Sequence, residues 1–187
     1  MPNTARAPHV SCFRSTLQSA EERRATTESL SMLSAPPIIR ILVDADACPV
    51  KDEIVRVAER HGLAAIFVSN AWMRLPASHL VERRVVDEGP DAADDWIADE
   101  IVAADICVTQ DIPLADRCLK KGARALTPPG RPFTADNIGM ALAMRDLKVH
   151  LRESGDIRDG PPAFARGDRS RFLQALEHAV QDILRGR

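Results

Sequence analysis

One stretch limits the fold more than any other: Ile38-Ile39-Arg40-Ile41-Leu42-Val43, a short apolar and largely β-branched run that stops at Asp44. Hydrophobicity that runs on without alternating marks a strand covered on both faces, as in a parallel sheet. The next residues fit a crossover helix. Pro49 stands where a helix can begin, Asp52 and Glu53 fall in its first turn, and Ile54, Val55, Val57 and Ala58 give it an apolar face before Gly62 stops it.

The same punctuation repeats along the chain. Ala64–Ser69 reads as a second strand and Arg83–Asp87 as a shorter third. Asp91 is placed to cap a helix reaching about Ala103, with Ala93, Trp96, Ile97, Glu100 and Ile101 at helical spacing. Asp105–Thr109 is a fourth strand, Pro113–Lys121 a helix stopped by Gly122, and Arg124–Leu126 a short fifth strand. A Pro/Gly-rich loop, Thr127–Thr134, leads to a helix over about Ala135–Glu153. A second loop, Ser154–Gly167, precedes a last helix capped by Asp168 and running to about Leu184. Strands and helices alternating at this pace predict a three-layer α/β/α domain with a central parallel sheet of about five strands. In such sheets ligands bind beyond the carboxyl ends of the strands.

Residues 1–37 differ from the rest, being rich in Ser, Thr, Ala and Pro and closed by Pro36-Pro37. They read as a disordered extension ahead of a domain over 38–187. With 45% hydrophobic and 28% charged residues in a chain of 187, that domain can bury a sizeable core. A formal net charge of −2 excludes polyanion binding by bulk charge and leaves room for local basic patches. The apolar runs are too short to span a bilayer and no secretory leader opens the chain, so the expected location is the cytoplasm. Of Cys12, Cys48, Cys107 and Cys118 no two form a C-x-x-C pair, which argues against structural zinc.

Chemistry is concentrated in the aspartates. Asp44 ends the first strand and Asp46 comes two residues later; Asp111 comes just after the fourth strand; Asp91 and Asp94 open the helix between and share one face of its first turn. If the first and fourth strands are neighbours, all five meet at one sheet edge. Carboxylates packed that closely stay ionised only beside a cation, and hard oxygen donors select Mg²⁺ or Mn²⁺. Such an ion can generate a hydroxide and stabilise the leaving oxygen of a phosphodiester. Each Asp also has a plainer use, because Asp caps helices and ends strands.

Several strings then stand out together. Val43-Asp44-Ala45-Asp46-Ala47-Cys48-Pro49 resembles the opening signature of the YaiI/YqxD family of bacterial proteins. Asp91-Ala92-Ala93-Asp94, Thr109-Gln110-Asp111-Ile112-Pro113-Leu114-Ala115, Met144-Arg145-Asp146 and Asp168-Arg169-Ser170-Arg171-Phe172 resemble its later motifs in order. The likeness covers about residues 38–187 and leaves the N-terminal extension without a counterpart. The family's fold is in turn similar to the PIN/NYN group of metal-dependent ribonucleases. That likeness implies catalytic roles for Asp44, Asp111 and Asp94 (or Asp91), with Asp46 as an extra acid and RNA as the partner.

Lys51, Asn70, Thr109 and Arg131 are the candidates to contact or orient substrate. Lys51 and Arg131 can meet a phosphate, Asn70 comes just after the second strand, and the Thr109 hydroxyl is placed to hold the Asp111 carboxylate. Trp72 can stack on a base, although packing against the sheet edge is its plainer use. Cys48 fits a small residue in a tight loop better than a nucleophile, having no His or cationic neighbour in sequence. Two other functions compete with a nuclease. One is a non-catalytic RNA- or nucleotide-binding module on the same fold. The other is a haloacid-dehalogenase-type phosphatase with Asp44 as nucleophile; it expects Thr or Val four residues later, where Cys48 stands.

Overall fold

The computed structural model describes residues 38–46, 48–87, 89, 91–154 and 164–186. The reading of residues 1–37 as a disordered extension lies outside them, as does most of the loop before the last helix. The elements are β1 (Arg40–Asp44), α1 (Lys51–His61), β2 (Ala64–Ser69), β3 (Val81–Val85), α2 (Ala92–Glu100), β4 (Ile106–Val108), α3 (Ile112–Lys120), β5 (Arg124–Leu126), β6 (Pro132–Phe133), α4 (Ala135–Glu153) and α5 (Arg166–Leu184).

The strands form one sheet in the order β3-β2-β1-β4-β5-β6. All neighbours pair in parallel except β6, which runs antiparallel to β5. Strand β1 is therefore central and β4 lies beside it, with Val43 level with Val108. Alternate residues of β1 serve opposite faces. Ile41 and Val43 join Phe67, Ile54, Phe172 and Leu176 in a core under α1 and α5. Leu42 joins Ile66, Val68, Ile97 and Leu114 in a second core under α2 and α3. Both faces of the sheet are thus covered, giving the three-layer α/β/α architecture that unbroken apolar strands require. Among the described residues no helix is long and apolar enough to cross a membrane.

Four expectations are corrected. The sheet has six strands rather than about five, because the segment expected to be wholly loop folds back as β6. A two-residue strand beginning with Pro132 leaves no period to read. Strand β3 begins at Val81, two residues earlier than expected, and as an edge strand it shows no alternation in burial. Helix α2 ends at Glu100, where Ile101 turns extended (ψ 140°) instead of carrying the helix to Ala103. Helix α5 starts at Arg166, so Asp168 sits in its first turn, where its carboxylate accepts the Ala165 N–H at 2.7 Å. The acid does the reciprocal half of a capping box from inside the helix.

Candidate active site

Strand β1 delivers Asp44 to the carboxyl edge and β4 delivers Thr109 and Asp111 beside it. The Thr109 side chain, 1% exposed, joins the two. Its hydroxyl donates to Asp44 Oδ2 at 2.9 Å and accepts the Asp111 backbone N–H at 2.9 Å. The sequence pairs this hydroxyl with the Asp111 carboxylate; the structure gives it to Asp44. Asp111 turns its own Oδ1 to the Leu114 N–H, 2.8 Å away, as the N-cap of α3. That bond fixes the orientation of the carboxylate.

The helix before β4 is entered differently. Asp91 stands at the N-cap position of α2 with φ 62°, a left-handed conformation that costs a non-glycine residue about 1–2 kcal/mol. Its carboxylate makes no capping bond. The expectation that Asp91 caps this helix is thus wrong in substance: it has the position without the hydrogen bond. Asp94, one turn on, is half-buried. Burial pushes its carboxyl up to about 6, helped by the charges of Asp111, Asp44 and Asp91. Burial likewise raises Asp44 above the ordinary carboxylate range, against the pull of the Thr109 hydroxyl, with Asp46 and Asp111 adding repulsion. These mutual influences bring Asp44, Asp46, Asp91, Asp94 and Asp111 into one electrostatic neighbourhood. Asp95 points elsewhere and pairs with Arg117 at 2.7 Å.

No Lys or Arg among the described residues forms an ion pair with any of the five. The donor set is all oxygen, which suits a hard divalent cation. In this arrangement no three Asp, Glu, His or Cys side chains of the described residues lie close enough to hold one ion together. Asp44 and Asp111 are carboxylates of the cluster that hydrogen bonds hold in place, from the Thr109 hydroxyl and from the Leu114 N–H.

The other candidates distribute around this edge. Asn70 follows β2; its backbone N–H points to Asp46 Oδ2 at 3.4 Å and its Nδ2 donates to the Gly89 carbonyl at 3.3 Å. Its buried Oδ1 has no partner among the described residues. Lys51, the first residue of α1, is half-buried and near enough for its charge to reach Cys48. Cys48 itself is buried, which pushes its thiol up to about 11 and makes it a poor nucleophile. Arg131 lies beyond the carboxyl end of β5 in a turn closed by Thr127, whose hydroxyl accepts the Arg131 N–H at 3.0 Å. That turn packs on α5, where a Cβ on Gly130 would stand 2.6 Å from the backbone of Arg171 and Phe172. No contact joins Arg131 to the acids. A cavity of about 430 Å³ opens between the β5–β6 edge and α5, and none of the five acids lines it.

Sequence reasoning missed two features. Arg169 donates to both oxygens of the buried Glu53 at 2.9 Å, tying α5 to the first turn of α1. With Phe172 fully buried, the closing Asp168–Phe172 string is a docking device, legible only once α1 and α5 are known to touch. The second is at the far edge. Trp72 is 71% exposed and does not pack on the sheet as expected. Arg83 lies 4.8 Å over its ring, and Arg84 lies 5.3 Å over Trp96.

Comparison with known proteins matches this arrangement to a sequence family. The profile described as "Uncharacterized BCR, YaiI/YqxD family" matches residues 42–182, from β1 into α5. The UPF0178 protein of Parvibaculum lavamentivorans is 61% identical over 145 residues, covering 78% of this chain and 95% of that protein. The UPF0178 protein of Rhodospirillum rubrum is 56% identical over 150 residues, covering 80% of this chain and all of that protein (100%). That of Caulobacter vibrioides is 55% identical over 143 residues, covering 76% and 94%. No solved structure matches. The matched span contains every acid of the carboxyl-edge cluster, the end of β1 and all of β4, and the chain belongs to the YaiI/YqxD family.

Proposed function

We propose that this protein is a Mg²⁺- or Mn²⁺-dependent phosphodiester hydrolase of ribonuclease type. One observation carries the reading: Asp44 and Asp111 stand at adjacent strand ends, linked through the Thr109 hydroxyl, in a cluster that forms no ion pair with a Lys or Arg of the described residues. A divalent ion held there would polarise the phosphate and lower the pKa of a bound water. The protein's part is to hold the two carboxylates rigidly: Thr109 fixes Asp44 from one side, and the first turn of α3 fixes Asp111. Asp94, pushed up to about 6 by burial and by its acidic neighbours against the pull of Arg117, is the group placed to take a proton near neutrality. Lys51 and Asn70 flank the acids and would orient the phosphate and sugar. Arg131 would act farther out, on the strand beyond the cleaved bond.

The test is hydrolysis of a labelled single-stranded RNA with Mg²⁺ or Mn²⁺ and with chelator. The metal-dependent rate should fall at least a hundred-fold, about 2.7 kcal/mol, in Asp44→Asn and in Asp111→Asn. Turnover that ignores both substitutions would sink the hydrolase reading. Tight RNA binding with no turnover under either metal would select the non-catalytic binding module instead.

A further inference from the structure

We infer that the β3 edge is a stacking platform that receives a single-stranded nucleic acid and leads it to the aspartates. Its use as the approach to a cleavage site rests on the hydrolase reading; the binding itself does not.

The platform is built by the β2–β3 connection. Met73 and Leu75 turn inward and pack against the core under α1 and α5. The alternation leaves Trp72 and Arg74 facing outward, both exposed. The connection is fixed at its start by the Ser69 hydroxyl, which donates to the Ala71 carbonyl at 2.8 Å. Trp72 is therefore held rather than free. Arg83 rests against its ring at 4.8 Å, and the indole remains 71% exposed. Neither Arg83 nor Arg74 forms an ion pair with the described residues. An exposed, oriented tryptophan flanked by two available guanidinium groups is the combination that binds unpaired bases by stacking and their phosphates by charge. A base inside a duplex offers no free face to such a ring, which restricts the ligand to single strands.

Register ties the platform to the acids. Arg83 is level with Phe67, and Phe67 with Val43, the residue before Asp44. With neighbouring strands about 4.8 Å apart, the Arg83 backbone lies roughly 10 Å across the sheet from that of Val43. Strand β2 lies between, and just after it comes Asn70, whose buried Oδ1 has no partner among the described residues and whose backbone N–H points at Asp46. A strand stacked on Trp72 and crossing Asn70 arrives at Asp46 and Asp44.

Binding is measured in chelator, so that no cleavage intervenes, by fluorescence anisotropy of a labelled oligouridylate. Oligothymidylate in a parallel titration separates RNA from single-stranded DNA as the preferred source. Trp72→Ala should weaken binding roughly ten-fold, and Trp72→Phe should retain most of it, because stacking needs only an aromatic face. Arg83→Ala should reduce the slope of log affinity against log salt by about 0.7, the loss of one phosphate contact on a single strand. In a Trp96→Phe background the oligonucleotide should quench the remaining Trp72 emission. Affinity that survives both Trp72→Ala and Arg83→Ala, or duplex RNA that competes as well as single strands, overturns the platform and leaves the exposed β3 edge to a protein partner. Cleavage is scored separately with Mn²⁺. Trp72-dependent binding without any cleavage leaves the platform standing and removes the hydrolase reading. Cleavage by Trp72→Ala at the wild-type KM removes the platform and leaves the hydrolase.

Discussion

Asp105 stands at the amino end of β4, and Asp44 stands at the carboxyl end of its neighbour β1. The first is fully buried and fully answered. The Arg40 backbone N–H donates to Asp105 Oδ1 at 3.1 Å, the Arg40 guanidinium meets Oδ2 at 2.6 Å, and the Val102 N–H adds a bond at 3.0 Å. At the other end, Asp44 has the Thr109 hydroxyl and a backbone hydrogen bond from Asp46, no ion pair among the described residues, and the repulsion of the Asp46 and Asp111 charges. One pair of strands thus carries an acid the fold serves from its own residues and an acid it leaves short of positive charge. A buried carboxylate without a cation is costly. The amino edge is answered within the fold, and the carboxyl edge is where a ligand bringing positive charge is proposed.

Breaking the answered end should have the larger effect on stability. Arg40→Met leaves Asp105 buried and unpaired, an expected loss of about 3–5 kcal/mol in urea denaturation. Adding Asp105→Leu should recover most of it, since a buried pair replaced by packed apolar groups is near neutral. A loss below about 1 kcal/mol for the single substitution would show that the amino end is no better served than the carboxyl end.

The carboxyl end should respond to metal instead. At a concentration about a hundred times its Kd, Mn²⁺ should stabilise the folded protein by about 2.7 kcal/mol, a rise in Tm of about 5–10 °C for a protein of this size. Asp44→Asn should abolish most of that rise, whereas Arg40→Met should keep it on a lowered baseline. Equal rises in wild type and Asp44→Asn, measured by differential scanning fluorimetry, would place the ion elsewhere.

How much of this the sequence foretold depends on the range of the interaction. The bounds of α4 and the unbroken core strand β1 were legible, because local pattern decides them. So was the placing of Asp44 and Asp111 at one edge, since strand ends in a parallel sheet share an edge. Contacts between distant segments were not. Arg40 looked like an interruption in an apolar strand until β4 lay beside it and supplied Asp105. Trp72 and Arg83 meet only because the β2–β3 connection folds back on its own strand. Thr109 was tied to the wrong carboxylate, because its reach to Asp44 crosses from one strand to the next. Asp91 was misjudged for a local reason: a left-handed residue carries no mark in a sequence when it is not glycine.

The pH response of the carboxyl end rests on Asp94. Its folded pKa is about 6, above the value near 3.9 of an unfolded chain, so the folded state holds the proton more tightly. In chelator, the contribution of this group favours folding below about pH 4 and is lost as pH rises toward about 6. Asp94→Asn removes that loss. Denaturation midpoints at about pH 5 and about pH 7.5 should differ less in the variant than in wild type, and saturating Mn²⁺ should narrow the wild-type difference. The same gap in both proteins would mean that the acids do not crowd Asp94.

The smallest effects separate the two aspartates that open helices. Asp111 spends one oxygen on the Leu114 N–H, so Asp111→Ala should cost about 1 kcal/mol of stability even in chelator, while Asp111→Asn keeps the cap and costs little. Asp91 has no cap to lose and carries the strain of φ 62°. Asp91→Gly relieves that strain and removes a like charge from Asp94, so it should raise the stability of the metal-free protein by up to about 1 kcal/mol. The same substitution should lower the stabilisation gained from Mn²⁺ if Asp91 faces the ion with the others. A variant that is firmer without metal and less responsive to it is the signature of an acid kept for a ligand, and urea titrations with and without Mn²⁺ measure both halves. If Asp91→Gly instead destabilises the metal-free protein, the left-handed aspartate serves the fold, and the contrast with Asp111 disappears.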